Sequence, residues 1–420
     1  MNVLIIGGGG REHALAYAIG KSPLLDKLFV SPGNPGIAQI ATCVPYTDEA
    51  ALFDLINHAA IDLVVIGPEA PLVDGLADRL RQQGISVFGP SQQAAMLEGS
   101  KAFARDFCDR HDIPQPAWQR FDNSADAVAF INAHPADGHV IKADGLAAGK
   151  GVVVADTKDE AIAAITSMLD DQQFGHASAS IVIEERITGV EASLFAMSDG
   201  EHAIMIGTAQ DYKRAGDGDT GPNTGGMGAV SPAPALDQTL LETAWHDIVE
   251  KVISGMKDDN MPYQGFLYAG LMITTDGPKV IEFNCRFGDP EAEVILPRLK
   301  SDLLTALIAA TESGLGHMDL RFHDGAAVTV IMANGGYPGP IEAGGVITGL
   351  DAVSTDHDEH MSYVFHAGTS QKGDDIIATG GRVLAVTALG KNQAEARKNA
   401  YRHVDRISWP KVYYRTDIAT

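Results

Sequence analysis

A carboxylate and an amide two residues apart, Glu282 and Asn284 in KVIEFN (279–284), form a donor pair suited to a hard metal ion. In an extended strand, residues i and i+2 share a face. Alternation therefore puts Glu282 and Asn284 on one side, with Ile281 and Phe283 on the other. Oxygen donors of this kind suit Mg²⁺ or Mn²⁺, with water and phosphate oxygens completing the shell. The strand runs straight into CRFGDPE (285–291), where Arg286, Asp289 and Glu291 make a dense polar turn. An ordinary exposed hairpin face is the alternative, and it accounts less well for so charged a continuation.

Two glycine-rich stretches could hold phosphate. GLAAGKG (145–151) is not a Walker A loop: three residues, not four, separate Gly145 from Gly149-Lys150, and Gly151 replaces the Ser or Thr that meets Mg²⁺. It lies between two strand-like runs, HVIKAD and GVVVAD, and so reads as a flap whose backbone N–H groups could fold over a polyphosphate. Lys142, on the preceding strand, would add a point charge. A plain hairpin tip with a solvated lysine stays open. The second stretch, VLIIGGGGREHAL (3–15), fails as a dinucleotide fingerprint, because Glu12 or His13 stands where the third glycine belongs. No ribose-binding acid follows about 20 residues on. Glycines before a helix still offer free N–H groups and a positive dipole end, so a smaller phosphate ligand is expected there, or a tight turn with no ligand.

These groups need a scaffold, and its outline is legible. In residues 1–100, strand-like VLIIG, KLFVS, DLVVIG and ISVFG alternate with helix-like stretches, which implies a parallel sheet with crossover helices. Ligands in such sheets sit beyond the carboxyl ends of the strands, here Gly7–Gly10, Pro32–Asn34 and Gly67–Glu69. From about Trp118 the texture becomes α+β. SIVIEE and EASLFAM read as a strand pair, Thr220–Ala229 as a glycine-rich loop, and LYAGLMITTDGPKVIEFN as a hairpin. A polar stretch at 317–324 marks a boundary, followed by β-rich segments and one late helix. The division expected is 1–100, 101–324 (flap lobe about 120–190) and 325–420. The net charge of −24 argues against nucleic acid and anionic membranes as partners. Three scattered cysteines, no basic leader and no apolar run of about 20 residues lead us to expect a cytoplasmic protein without a membrane span.

Taken in order, GSK, VIKADGLAAGKG, IVIEE, AQDYKR, TGPNTGGMGA and VIEFNCRFGDPE resemble the glycinamide ribonucleotide synthetase (phosphoribosylamine–glycine ligase) family of ATP-grasp enzymes. IIGGGGREHAL, PGN, GPEAPL, HAGT and GGRVL extend the likeness over nearly the whole chain. The resemblance implies an N-terminal α/β substrate domain, an ATP-grasp core of two α+β lobes and a β-rich C-terminal domain. It implies that Lys101 and Lys142 contact ATP phosphates under the flap of Gly145, Gly149, Lys150 and Gly151. Adenine would lie along Glu184, Glu185 and Ile187, held largely by backbone, with Glu191 on the ribose. By residue type alone, Glu184-Glu185 reads as a solvated pair. Arg214 and Asn223 match nucleotide-contacting positions of the family, and Glu282 and Asn284 its metal ligands. Gly9, Gly10, Arg11, Glu12, Asn34, Pro68 and Glu69 are candidates for the phosphoribosylamine pocket. Asp211, Arg286 and Asp289 are candidates around glycine and the reacting amine.

The implied reaction joins glycine to 5-phosphoribosylamine at the expense of ATP, through glycyl phosphate, in de novo purine synthesis by a monomer. Another ATP-grasp carboxylate–amine ligase is the nearest rival. A nicotinamide oxidoreductase fails on the fingerprint, and a non-catalytic nucleotide-binding regulator leaves the metal pair without a use. The chain departs from the family's pattern at Gly8, where Asn is frequent, and at Ala292-Glu293, where Thr-Gln is common.

Overall fold

The computed structural model describes residues 1–134, 138–147, 150–353 and 361–420. The apolar run at the start forms the strand Asn2–Gly7, central in a parallel sheet ordered Thr42–Cys43, Lys27–Pro32, Asn2–Gly7, Leu63–Ile66, Ser86–Phe88. Its side chains alternate between two cores: Val3 and Ile5 pack into one, Leu4 and Ile6 into the other. Burial on both faces explains why the sequence reads as an unbroken hydrophobic stretch. The strand's glycine end meets the helix Gly10–Gly20.

The flap belongs to a separate antiparallel sheet ordered Trp118–Phe121, Ile181–Glu185, His139–Ala143, Val152–Ala155. Helices Ser124–Ala133 and Lys158–Ile165 cover one face, burying Phe121, Ile131, Ile141, Ile165 and Ile183 together. The expected pairing of SIVIEE with EASLFAM does not occur. Ile181–Glu185 lies between Trp118–Phe121 and His139–Ala143. Val190–Asp199 lies between Ala203–Asp211 and Gln264–Thr274 in another sheet. The intervening 186–189 lacks a two-residue hairpin turn signal, and more distant strands occupy both edges of each candidate.

That other sheet is nine-stranded among the described residues and antiparallel throughout. It runs Gly277–Asn284, Gln264–Thr274, Val190–Asp199, Ala203–Asp211, Gly228–Ser231, Ala326–Asn334, Arg382–Gly390, Ser362–His366, with Val412–Tyr413 also paired to Ala326–Asn334. The large sheet continues across the boundary expected at 317–324, because Gly228–Ser231 pairs directly with Ala326–Asn334. Nor is Thr220–Ala229 simply a loop. Its first part, Thr220–Asn223, forms a two-stranded hairpin with Arg214–Gly216, and its end enters the large sheet.

The hairpin carrying Glu282 is present, but its alternation breaks once. Gly270 pairs with Glu282 and Leu271 with Val280, so Ile281 is an extra, bulged residue. Val280 and Phe283 share one core that Ile281 does not join, which corrects the expected grouping of Ile281 with Phe283. Sequence alternation cannot reveal a bulge when the extra residue is itself apolar.

Candidate active site

Three strand ends of the parallel sheet meet at one rim. Gly33 N donates to Gly7 O at 3.2 Å, Gly67 N to Ile6 O at 3.0 Å, and Asn34 Nδ2 to Gly8 O at 3.0 Å. A side chain on Gly7 or Gly67 would collide with Glu12, whose carboxylate accepts Gly9 N at 2.6 Å and pairs with Arg11 at 2.6 Å. The glycines thus make room for an anion of the chain's own at this helix start. Glu12 caps its own helix, as an acid at this position does in a capping box. The Asn34 amide is fully engaged as well, donating to His366 O and accepting Gly36 N and Ile37 N. Pro68 precedes the helix Glu69–Val73, and Gly10 opens the first helix beside Glu293.

The CRFGDPE turn faces this rim. Arg286 lies between Glu69 and Glu98, 3.2 Å from each, and Glu98 Oε2 also accepts Cys285 N at 2.7 Å. Burial pushes the Glu98 carboxyl up although Arg286 pulls it down, whereas at Glu69 the pull of Arg286 and Arg11 outweighs burial. Asp289 pairs with Arg382 at 3.0 Å, and Arg382 also donates to Asp289 O and Gly225 O. One guanidinium so joins GDPE to the stretch TGPNTGGMGA.

On the flap side, Glu184 is buried between Arg105 at 2.7 Å and Lys142 at 2.9 Å, which overturns the solvated-pair reading. Desolvation would raise its carboxyl, but Lys142 and Arg105 hold it below its ordinary value. The bulged Ile281 supplies the carbonyl for both cations, taking Lys142 Nζ at 2.8 Å and Arg105 Nη2 at 2.6 Å. The bulge therefore docks the flap sheet against the large one. Glu185 points outward and accepts Ala117 N, and Ile187 follows in the link. Lys101 Nζ donates to Gly145 O at 3.1 Å. Asp144 anchors this corner, accepting Ser100 Oγ, Ala102 N and Ser180 Oγ. Lys150 is exposed, Gly151 is buried beneath the strand start, and Gly149 lies outside the described residues.

Between these two walls sits a charge cluster. Lys213 pairs with Glu191 at 2.5 Å, and Asp211, Glu282 and Tyr268 lie in its field. Burial opposes ionisation of Glu282, but Lys213, Lys142, Lys101 and Arg286 together bring its carboxyl below the ordinary value. Asp211 is pushed up by burial, against the pull of Lys213. Glu291 is raised to about 7 by burial and by Asp211. Among the described residues, neither the Glu282 carboxylate nor the Asn284 amide takes a hydrogen bond or ion pair, so their oxygens are free for a cation. Arg214 and Asn223 face one another across the small hairpin, both exposed.

Phosphoribosylglycinamide synthetase models match the chain in three consecutive stretches: the N domain over 1–98, the ATP-grasp (A) domain over 99–292 and the C domain over 327–420. The chain belongs to the phosphoribosylglycinamide synthetase family. A phosphoribosylamine–glycine ligase of Mesorhizobium japonicum is 52% identical over 420 residues, covering 100% of this chain and 97% of that one. One of Escherichia coli O157:H7 is 49% identical over 424 residues, covering 100% and 98%. The crystal structure of the Thermotoga maritima phosphoribosylamine–glycine ligase superposes with a TM-score of 0.87 at 32% identity, covering 100% of both chains. A Campylobacter jejuni biotin carboxylase, at 13% identity and TM-score 0.72, shares the fold.

Several residues of this synthetase-family site carried no role in the sequence reading: Lys213, Arg105, Glu98, Asp144 and Arg382. Lys213 and Arg382 stand inside recognised motifs, AQDYKR and GGRVL, which was the available signal. Arg105 and Glu98 sit on short helices with nothing in their spacing to mark them.

The departure at Glu293 has a physical consequence. Its side chain is buried, with Oε2 unpartnered, and burial beside Asp289 raises its carboxyl well above the ordinary 4.5. Folding above that pH must retain a proton which the unfolded chain has released. Stability therefore falls as pH rises from about 4.5 toward the folded value, by at most about 1.4 kcal/mol per unit. Glu293→Gln cannot titrate, so its urea midpoint should gain on the parent protein between pH 5 and pH 8. A gap that stays constant across those pH values would show that Glu293 is charged in the folded state.

Proposed function

We propose that the protein condenses glycine with 5-phosphoribosylamine, using ATP, to give glycinamide ribonucleotide, ADP and phosphate in purine biosynthesis. The observation that carries this is the likeness to phosphoribosylamine–glycine ligases at about half identity across the whole chain. The unpaired Glu282–Asn284 donors inside a cluster of lysines support it. In the chemistry, a glycine carboxylate oxygen attacks the γ-phosphorus as the bond to ADP breaks, giving glycyl phosphate. The amine of phosphoribosylamine then attacks the acyl carbon, phosphate leaves, and the nitrogen loses a proton.

Phosphoryl transfer needs alignment and charge neutralisation more than covalent help. Glu282 and Asn284 would hold Mg²⁺ or Mn²⁺, which when bound neutralises charge on the transferring phosphoryl group. Lys101 and Lys142 are fixed near Glu282 by Gly145 O and Ile281 O, and supply positive charge toward the phosphates. Gly145, Lys150 and Gly151 flank the cover over them, and Gly149, outside the described residues, is assigned to it by the family resemblance alone. Glu184, Glu185 and Ile187 line the adenine side, with Glu191 at the ribose and Arg214 and Asn223 on the small hairpin. The rim of Gly9, Gly10, Arg11, Glu12, Asn34, Pro68 and Glu69 takes phosphoribosylamine. Within it Asn34 and Glu12 act as braces, since their side chains are already engaged. Arg286 and Asp289 on the CRFGDPE side and Asp211 in the charge cluster would surround glycine and the amine.

Phosphate release from ATP, Mg²⁺ and glycine is the test, run with and without freshly made phosphoribosylamine. Release should require both glycine and the amine. Equal release without phosphoribosylamine, or with ammonia in its place, would overturn the assignment.

A further inference from the structure

Among the described residues the small hairpin bearing Arg214 and Asn223 pairs only with itself: Arg214–Gly216 and Thr220–Asn223 form a two-stranded sheet, and the second strand is exposed throughout. A lone hairpin of this size is marginal in water. Its conformation must be set by something else. The segment after the late helix Gln393–Val404 supplies it.

Arg415 is the centre of that contact. Its guanidinium is 1% exposed, grips Asp417 through two 2.7 Å bonds, and donates to Asp219 Oδ1 at 2.7 Å and to Arg214 O at 3.2 Å. It also lies over the Tyr212 ring, 5.3 Å from the centroid. Asp417 in turn accepts Gly218 N at 2.7 Å, and Asp217 accepts Thr416 N at 2.8 Å and Thr416 Oγ1. Every residue of the turn 217–219 is thus held by the strap 415–417. The strap is itself fixed by the late helix: Tyr401 donates to Arg415 O at 2.7 Å and Arg397 to Thr416 O at 2.7 Å.

We infer that Arg415 is a positioning residue for nucleotide binding, acting through the strap to hold Arg214 and Asn223 in place. The inference rests on the reading above that this hairpin lies on the ATP side. Ordering a loop on binding lowers affinity, and a strap that orders it beforehand removes that cost. Charged, bidentate bonds to a buried guanidinium are the strong kind for this purpose.

The test is steady-state kinetics of the full chain with three sets of variants. Arg415→Met should raise the KM for ATP about tenfold, with kcat within about twofold and the KM for glycine unchanged. Asp217→Ala combined with Asp219→Asn loosens the same contact from the exposed side and guards against a misfolded Arg415 variant. Asn is chosen at 219 because that residue has φ +53°. The pair should raise the ATP KM about threefold. Asn223→Ala checks the underlying reading. If it leaves the ATP KM unchanged, the hairpin is not on the nucleotide side. If it raises that KM while the folded strap variants do not, the hairpin binds nucleotide without help from Arg415 and the inference is overturned. A loss spread equally over ATP, glycine and kcat would overturn it too, since that is the signature of general destabilisation.

Discussion

Replacing Glu282 by Gln should lower kcat by about 10²–10³-fold while leaving the chain folded. The side chain is pinned in space, because its residue pairs with Gly270 immediately beside the bulge. Its carboxylate is unpaired among the described residues, yet Lys213, Lys142 and Lys101 hold it ionised against burial. An anion kept charged and free of hydrogen bonds is preorganised to take a cation, and an amide of equal size removes the charge and little else. The depressed carboxyl also contributes to stability. That contribution is present above the unfolded value near 4.5 and is lost as pH falls through the folded one. Glu282→Gln should therefore unfold earlier than the parent at pH 7, with the gap closing in acid. Single-turnover phosphate release and the Mg²⁺ concentration for half-maximal rate are the measurements. A folded variant with full rate and unchanged Mg²⁺ dependence would place the metal elsewhere.

Glu184→Gln should cost about 3–5 kcal/mol of folding stability, because it leaves Arg105 and Lys142 buried without their shared counter-charge. Neither cation can swing to water: Arg105 is bound to Val280 O and Ile281 O, and Lys142 to Ile281 O. The flap sheet and the large sheet meet through this group, so nucleotide affinity should fall with stability. The loss is expected at neutral pH and should shrink below about pH 4.5, where the unfolded chain takes up a proton at Glu184 while the folded carboxyl, held lower, stays charged, and it vanishes as pH falls through the folded value. Urea unfolding at pH 7 and pH 4, with nucleotide binding by calorimetry at pH 7, would check it. A variant as stable as the parent at pH 7 would mean that the two cations are solvated in the folded protein.

The sequence carried local order well. Alternation of VLII with a helix and of KVIEFN within a hairpin gave real elements, because side-chain period depends only on residues nearby. It also carried the family, since many weak motifs in fixed order are specific together. It did not carry partnership. SIVIEE and EASLFAM are neighbours in the chain and lie in different sheets, because strand edges are filled by whatever packs there. Glu184-Glu185 looks like a surface pair, and one of the two lies between buried cations contributed by positions 42 and 79 residues away.

What the sequence by itself determined, then, is the kind of protein and the donor types: a glycine-rich rim, a flap between antiparallel strands, and a carboxylate–amide pair beside a dense polar turn. What only the tertiary structure decided is which of those groups are free. Glu12 and Asn34 are consumed in bracing the rim, whereas Glu282 and Asn284 are left open. The Ile281 bulge turns a backbone carbonyl into the dock for the flap, and a strap from the far end of the chain grips a hairpin two hundred residues earlier. Hydrogen-bond saturation, desolvation and ion pairing depend on atoms brought together across long stretches of chain, and residue type and spacing do not encode those distances.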